Sequence, residues 1–294
     1  MSLNTQVITI GSVTEDLLLL VNESQIMPGK GVLCEKLLAF EYGAKIPIGR
    51  IKTCLGGAGA NVATGLSRLG IRSRACVTVG GDDIGKKLKR SLQKLGVDTS
   101  LCHTSYESES DRSIILVEPT ERDRTIFYTR DAGRHIKLKD ISKWKTEWVF
   151  ISSLPTGWEN KLGQILKLRK EKGIKVAWNP GRLQIKSGIK FLLPLLKETS
   201  LLFLNWDEAL ELTLSDREFA EKNHKRAPRK KTVLKFLQSL GPNVVIITLG
   251  RKGSLATDGC VYLKAPAFSP KRVELTGAGD AFASGFLASW IYRP

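Results

Sequence analysis

Along the chain, short apolar runs rich in β-branched residues alternate with stretches whose apolar positions recur at helical spacing. The runs "QVITIGSV" (6–13), "RACVTVG" (74–80), "EWVFISS" (147–153), "IKVAW" (174–178), "SLLFLN" (200–205) and "NVVIITLG" (243–250) have the length and composition of buried strands. Between the first two, "NVATGLSRLG" (61–70) sets Val62, Ala63, Leu66 and Leu69 on one helical face. Helical patterns return around 159–172 and 231–240. Strands separated by helices predict a doubly wound α/β fold, a mostly parallel sheet with helices on both faces.

Two regions break that alternation. Residues 16–51 hold β-like pieces punctuated by Gly and Pro, as in "FEYGAKIPIG". Residues 111–130 read as two strands, "DRSIILVEP" and "DRTIFYT", joined by the charged turn "TERD". Together they predict a small β-sheet inserted in the α/β core, which would cover a site as a lid or bury its exposed face against a second copy in a homodimer. No internal repeat or low-complexity linker divides the chain, so residues 1–294 are expected to form a single domain.

Composition narrows the class. A chain of 294 residues can bury a large core, and 42% hydrophobic with 26% charged residues is ordinary for a globular protein. The densest apolar run, Leu17 to Val21, is far too short to span a bilayer and follows Glu15 and Asp16. The N-terminus "MSLNTQVITIG" lacks the basic region and long apolar stretch of a secretory signal. Cys34, Cys54, Cys76, Cys102 and Cys260 are odd in number and widely spaced, which favours reduced thiols in a cytoplasmic protein over a disulfide frame or a zinc site. The net charge of +17 fits either a polyanion partner or a basic surface that attracts phosphorylated small molecules. Its one dense run, "KNHKRAPRKK" (222–231), has no interleaved aromatic residue and reads as a solvated loop or helix start, so nucleic acid is not expected as the partner.

Four stretches carry candidate chemistry. In "CLGGAGANVATG" (54–65), three glycines precede Asn61 and a helical run; the backbone near Gly57 could pass close to a ligand, or simply turn with Asn61 as a helix cap. The dinucleotide fingerprint is not met, because its last glycine position falls on Val62, and no P-loop pattern occurs. In "GSVTED" (11–16), Asp16 follows the first strand, where open α/β sheets collect ligands, and could accept hydrogen bonds from sugar hydroxyls. In "NWDEALEL" (205–212), Asn205 and Glu208 satisfy a helix capping box, and the same oxygens suit hydrated magnesium and its phosphates. In "VELTGAGDAF" (273–282), the turn Gly277-Ala278-Gly279 and Asp280 open an apolar helix; Asp280 suits an N-cap, and the free amides there suit a phosphate.

In this order and at these separations, the four stretches resemble the ribokinase-like sugar kinases, the phosphofructokinase-B type. "GGAGAN" is similar to the family's N-terminal signature and "TGAGDAFASGF" to its C-terminal one, with Asn205, Glu208 and the "TLG" at 248–250 between them. The resemblance implies an ATP-dependent transfer of the γ-phosphoryl group to a hydroxyl, commonly the CH₂OH of a sugar or nucleoside. It implies Asp280 as general base and the amides of Gly277, Ala278 and Gly279 as the anion hole. Asp16, Gly57 and Asn61 would bind the acceptor. Asn205 and Glu208 would organise Mg²⁺ through water, while Thr248, Gly250 and Thr276 would lie along the nucleotide. A non-catalytic sugar- or nucleotide-binding pseudokinase is the alternative expectation.

The chain departs from that pattern in three places. Only 14 residues follow Asp280, where the family continues through at least one more helix, so a shortened C-terminus is expected. Glu274 stands where the family often carries Asp, which with the short tail puts a monovalent-cation (K⁺) site in doubt. Ala58 stands where some sugar kinases have Lys, so the particular acceptor is not read from this element.

Overall fold

The computed structural model describes residues 5–21, 25–28, 36–117, 124–222, 228–268 and 277–293. The chain begins with β1 (Thr5–Ile10), then leaves the core through β2 (Thr14–Val21), β3 (Gln25–Pro28), β4 (Lys36–Ala39) and β5 (Ile48–Gly56). It returns with α1 (Ala58–Arg68), β6 (Ser73–Cys76), β7 (Thr78–Gly80), α2 (Asp83–Lys94) and β8 (His103–Ser105), and departs again through β9 (Arg112–Val117) and β10 (Arg124–Thr129). The second half runs β11 (Thr146–Ile151), α3 (Trp158–Lys172), β12 (Lys175–Trp178), α4 (Arg182–Ser187), α5 (Ile189–Leu196), β13 (Leu201–Asn205), α6 (Trp206–Leu214) and α7 (Arg217–Lys222). It ends with α8 (Lys230–Ser239), β14 (Val244–Thr248), β15 (Ser254–Thr257), β16 (Tyr262–Ala265) and α9 (Ala278–Tyr292).

The main sheet has eight strands in the order β16-β15-β14-β13-β12-β11-β1-β6. The six from β14 to β6 are parallel, and β15 and β16 add antiparallel at one edge. Parallel strands are covered by helices on both faces, which is why they read as continuous apolar runs. Successive residues feed opposite cores. Ile8, Val149, Val245 and Ile247 pack toward α3, α5 and α8, whereas Val7, Phe150, Val244 and Ile246 pack toward α1 and α9. The doubly wound expectation holds. The strand expected over 74–80 is divided: β6 pairs with β1, and the chain then turns away so that β7 pairs with β8. The segment 132–139 draws it off the edge, with the Thr78 hydroxyl donating to the His135 carbonyl at 3.2 Å.

A second sheet, ordered β10-β9-β2-β5, stands outside this core. Strand β2 pairs parallel with β9 and antiparallel with β5. Leu18 and Ile115 are buried in it, whereas Ile51, Ile114, Ile126 and Phe127 are exposed. The turn "TERD" and residues 223–227 of the basic run lie outside the described residues, as do Cys34, Glu274 and Thr276. Among the described residues no helix is long and apolar enough to cross a membrane. Burial pushes the Cys76 thiol up to about 12, which leaves it an inert core group.

Helices α1 and α9 lie side by side on one face of the sheet, and glycine sets their approach. A Cβ on Gly65 would fall 2.3 Å from Ser284 Oγ, so a side chain there would hold the helices apart. Phe286 meets Phe203 of the sheet edge-on, with ring centroids 5.6 Å apart.

Candidate active site

Strand β1 ends at Ile10, and the chain turns at Gly11 beneath the start of α1. A Cβ on Gly11 would fall 1.8 Å from Ser152 Oγ, and one on Gly59 would fall 2.9 Å from the Gly11 backbone. The two segments are then stitched together: Thr9 Oγ1 donates to the Gly59 carbonyl at 2.9 Å, Ala60 N–H to the Ser12 carbonyl at 3.1 Å, and Ala58 N–H to Ser12 Oγ at 3.2 Å. Gly57, with φ 89°, opens the helix and sits so close to Ser12 and Val13 that a side chain would collide with their backbone. Because β6 lies on one side of β1 and β11 on the other, this turn stands where the winding of the sheet reverses, a place where open α/β sheets bind ligands.

Asn61 is not the helix cap. It lies one turn inside α1, because Gly57 takes the N-cap position and Ala58, Gly59 and Ala60 form the first turn. Its side chain is thereby free to reach across, and Nδ2 donates to Asp280 Oδ2 at 2.8 Å, a contact between residues 219 positions apart. Asp280 is likewise not a cap. Gly277, with φ 77°, takes the N-cap position without a side-chain bond, and Asp280 is the third residue of α9. The first intrahelical bond of α9 runs from Ala281 N–H to the Gly277 carbonyl at 2.9 Å, so the amides of Ala278, Gly279 and Asp280 precede the helical ladder. Among the described residues, nothing lies within 4 Å of where a Cβ on Gly279 would stand, so they leave that side of the first turn of α9 uncovered.

Burial pushes the Asp280 carboxyl above the ordinary carboxylate range; the Asn61 hydrogen bond opposes that shift, and the nearby charge of Asp16 adds to it. Asp16 itself does not sit in the turn after β1, as a solvated carboxylate would. It is the third residue of β2 and only 7% exposed. Its Oδ1 accepts from Thr14 Oγ1 at 2.7 Å and from Ser113 Oγ at 2.5 Å. Asp16, Asn61 and Asp280 thus converge, with Gly57 and Gly277 supplying the turns beside them.

Asn205, Glu208, Thr248 and Gly250 occupy a different stretch of the same sheet edge. Asn205 and Thr248 end adjacent parallel strands in direct register. Asn205 Oδ1 accepts from Glu208 N–H at 2.8 Å while Glu208 Oε2 accepts from Asn205 N–H at 2.9 Å, a complete capping box. Burial raises the Glu208 carboxyl, with the Asn205 amide pulling it back down. Gly250 follows β14 with φ 57°, and among the described residues nothing lies within 4 Å of where its Cβ would stand. Among the described residues no group of three or more His, Cys, Asp or Glu could hold a metal ion directly. Asn205 and Glu208 each keep polar capacity beyond the box, so they fit a magnesium held mainly by water and phosphate oxygens, the ion's usual arrangement.

Three polar residues near these groups escaped the sequence reading. Thr14 and Ser113 gave no motif, and only the pairing of β2 with β9 brings Ser113 to Asp16. Asn179 directly follows β12 between the two halves of the edge, its Nδ2 donating to the Phe203 carbonyl at 2.9 Å. Asn179 was findable: "VAWNP" closes an apolar run with Asn just as "LFLNW" does. The cleft lined by Asp82, Tyr106, Glu107, Glu109 and Asp131 shares no residue with the site, and its carboxylates would repel a phosphate.

The family described as "pfkB family carbohydrate kinase" matches residues 32–292. An ATP-dependent 6-phosphofructokinase of Thermoanaerobacterium thermosaccharolyticum is 26% identical over 89% of this chain and 80% of its own length. A fructokinase of Salmonella typhimurium is 29% identical over 82% of this chain and 78% of its own. Among solved structures, an Arabidopsis thaliana ribokinase complexed with ribose and ATP aligns with a TM-score of 0.74 at 19% identity, covering 99% of this chain and 87% of that one. A nucleoside kinase of Methanocaldococcus jannaschii aligns with a TM-score of 0.72 at 23% identity, over 99% and 86%.

Proposed function

The chain belongs to the pfkB family of carbohydrate kinases, and on that premise we propose that it moves the γ-phosphoryl group of ATP to a hydroxyl of a sugar or nucleoside, with Asp280 as the general base. The observation that carries this reading is the Asn61–Asp280 hydrogen bond. It joins the starts of α1 and α9, sets a half-buried carboxylate beside a helix N-terminus, and has no need to exist for either helix to be capped.

In this reading the acceptor hydroxyl lies against Asp280 Oδ1, which takes its proton as the oxygen attacks phosphorus. A positioned base of this kind typically contributes about 10²–10⁴-fold. Asn61 orients the carboxylate through Oδ2. The amides of Gly277, Ala278 and Gly279 face the phosphoryl group, and each well-placed donor of this type is worth roughly 3–4 kcal/mol. The side of α9 that the described residues leave uncovered at Gly279 supports this, since a phosphate must approach the backbone closely there. Asp16 and the backbone at Gly57 hold the acceptor. Asn205 and Glu208 would hold Mg²⁺ through water, and the bound ion would supply charge neutralisation at the phosphates. Thr248, Gly250 and Thr276 line the nucleotide. The outer sheet of β2, β5, β9 and β10 acts as a lid, keeping water from competing as the acceptor.

Release of ADP, measured with Mg²⁺ and a panel of ribose, fructose, fructose 6-phosphate, ketodeoxygluconate and nucleosides, tests the reading. Turnover is expected with at least one hydroxyl acceptor. ATP and sugar binding without any turnover would overturn it in favour of a non-catalytic binder.

A further inference from the structure

Two buried hydroxyls touch Asp16, and the reaction as described leaves them without a task. Thr14 and Ser113 are 2% and 5% exposed and come from two different strands, Ser113 lying opposite Asp16 in the parallel pairing of β2 with β9. Both donate to the same carboxylate oxygen, Oδ1. Among the described residues Oδ2 carries no hydrogen bond. It lies over the backbone of Gly56, where a Cβ would fall 1.9 Å from it, so the carboxylate fits only because residue 56 has no side chain. Rotating the carboxylate would break two hydrogen bonds to a charged group in a buried place, which fixes its orientation. An ionised carboxylate accepts on both oxygens. Here the protein saturates one and leaves the other.

We propose that Thr14 and Ser113 are positioning residues for acceptor recognition: they pin Oδ1 of Asp16 so that Oδ2 faces the bound molecule as a pure hydrogen-bond acceptor. The identity of that molecule, a sugar or nucleoside, rests on the kinase reading above. Both hydroxyl protons are committed to Asp16, so neither Thr14 nor Ser113 donates to the acceptor itself. The bound molecule must bring its own O–H to Oδ2. This makes the site selective for an acceptor carrying a hydroxyl besides the one that is phosphorylated.

The test uses Ser113→Ala and Thr14→Val on the full chain. Acceptor affinity is read by calorimetry without ATP, alongside kcat and both KM values. Acceptor Kd and KM are expected to rise about tenfold, the typical effect of losing one hydrogen bond to a charged group. kcat and the KM for ATP should stay within about twofold, because Asp16 is not in the phosphoryl path. Ser113→Thr, which keeps the hydroxyl, should restore affinity. In a series of monodeoxy acceptors, the one lacking the partner hydroxyl should bind wild type and Ser113→Ala equally. Unchanged acceptor affinity in both variants overturns the proposal. So does a loss that is equal for every deoxy acceptor and for ATP, accompanied by a lowered Tm, which would mark plain packing. If the wild type binds an acceptor but never turns it over, the kinase reading fails while the selective loss of affinity still sustains the positioning role. A wild type that binds no sugar or nucleoside removes both.

Discussion

The two halves of the candidate site are built in opposite ways. Asn205 and Glu208 lie three residues apart, and their hydrogen bonds close a capping box within the first turn of α6. Asn61 and Asp280 are 219 residues apart, neither caps its helix, and they meet only because α1 and α9 pack through Gly65 and Ser284. Local structure accounts for the first pair in full, so its link to chemistry must come from what it can do besides capping. For the second pair local structure accounts for nothing: a carboxylate is held where burial opposes its charge, beside helix amides that need an anion. A polar group that the surrounding fold does not require is the stronger pointer to function.

The contrast breaks most sharply at Asp280. Asp280→Asn should leave the fold intact by circular dichroism and lower turnover by at least about 10²-fold. Its effect on stability has a definite sign. A carboxyl whose folded pKa lies above its unfolded value costs stability once ionised; the cost is full above the folded pKa and vanishes below the unfolded one. The variant should therefore unfold at a higher temperature than the wild type near neutral pH, and the gap should close as pH falls through the raised pKa toward the ordinary carboxylate value. The acid limb of kcat/KM should also lie above that ordinary value, since the base must be ionised.

Gly279→Ala is the next largest test. Its Cβ would meet none of the described residues within 4 Å at an ordinary helical position, so melting should be nearly unchanged. If a phosphoryl group approaches there, kcat should fall by on the order of 10-fold or more. A fully active Gly279→Ala enzyme would separate the helix end from the reaction.

The smallest effects belong to the local pair, and there two variants divide structure from chemistry. Asn205→Ala removes the cap acceptor and should cost about 1 kcal/mol in chemical denaturation. Glu208→Gln keeps an oxygen able to serve the capping box, so stability should hold while the Mg²⁺ concentration for half-maximal rate rises. An unchanged Mg²⁺ requirement would leave Asn205 and Glu208 with the capping role alone.

Much of the fold was legible because the signals are local. The runs at 147–153, 174–178, 200–205 and 243–250 appear as β11, β12, β13 and β14, their continuous apolar character following from burial on both faces. The run at 74–80 misled because its apolar length hides a change of partner at Val77, which only the pull of residues 132–139 explains. The glycine-rich turns were legible as turns. Which residue begins each helix was not, since Gly57 and Gly277 can take positive φ and thereby displaced Asn61 and Asp280 from the capping positions their types suggest.

By itself, then, the amino-acid order determined the periods, the turns and the stock of reactive side chains, since each is set by neighbours within a few residues. What tertiary structure alone decided is which of those side chains meet: Asn61 with Asp280 across two packed helices, and Ser113 with Asp16 across two paired strands. Such contacts depend on strand register and helix approach, which are fixed by packing among segments far apart in the chain and leave no periodic trace in any one of them.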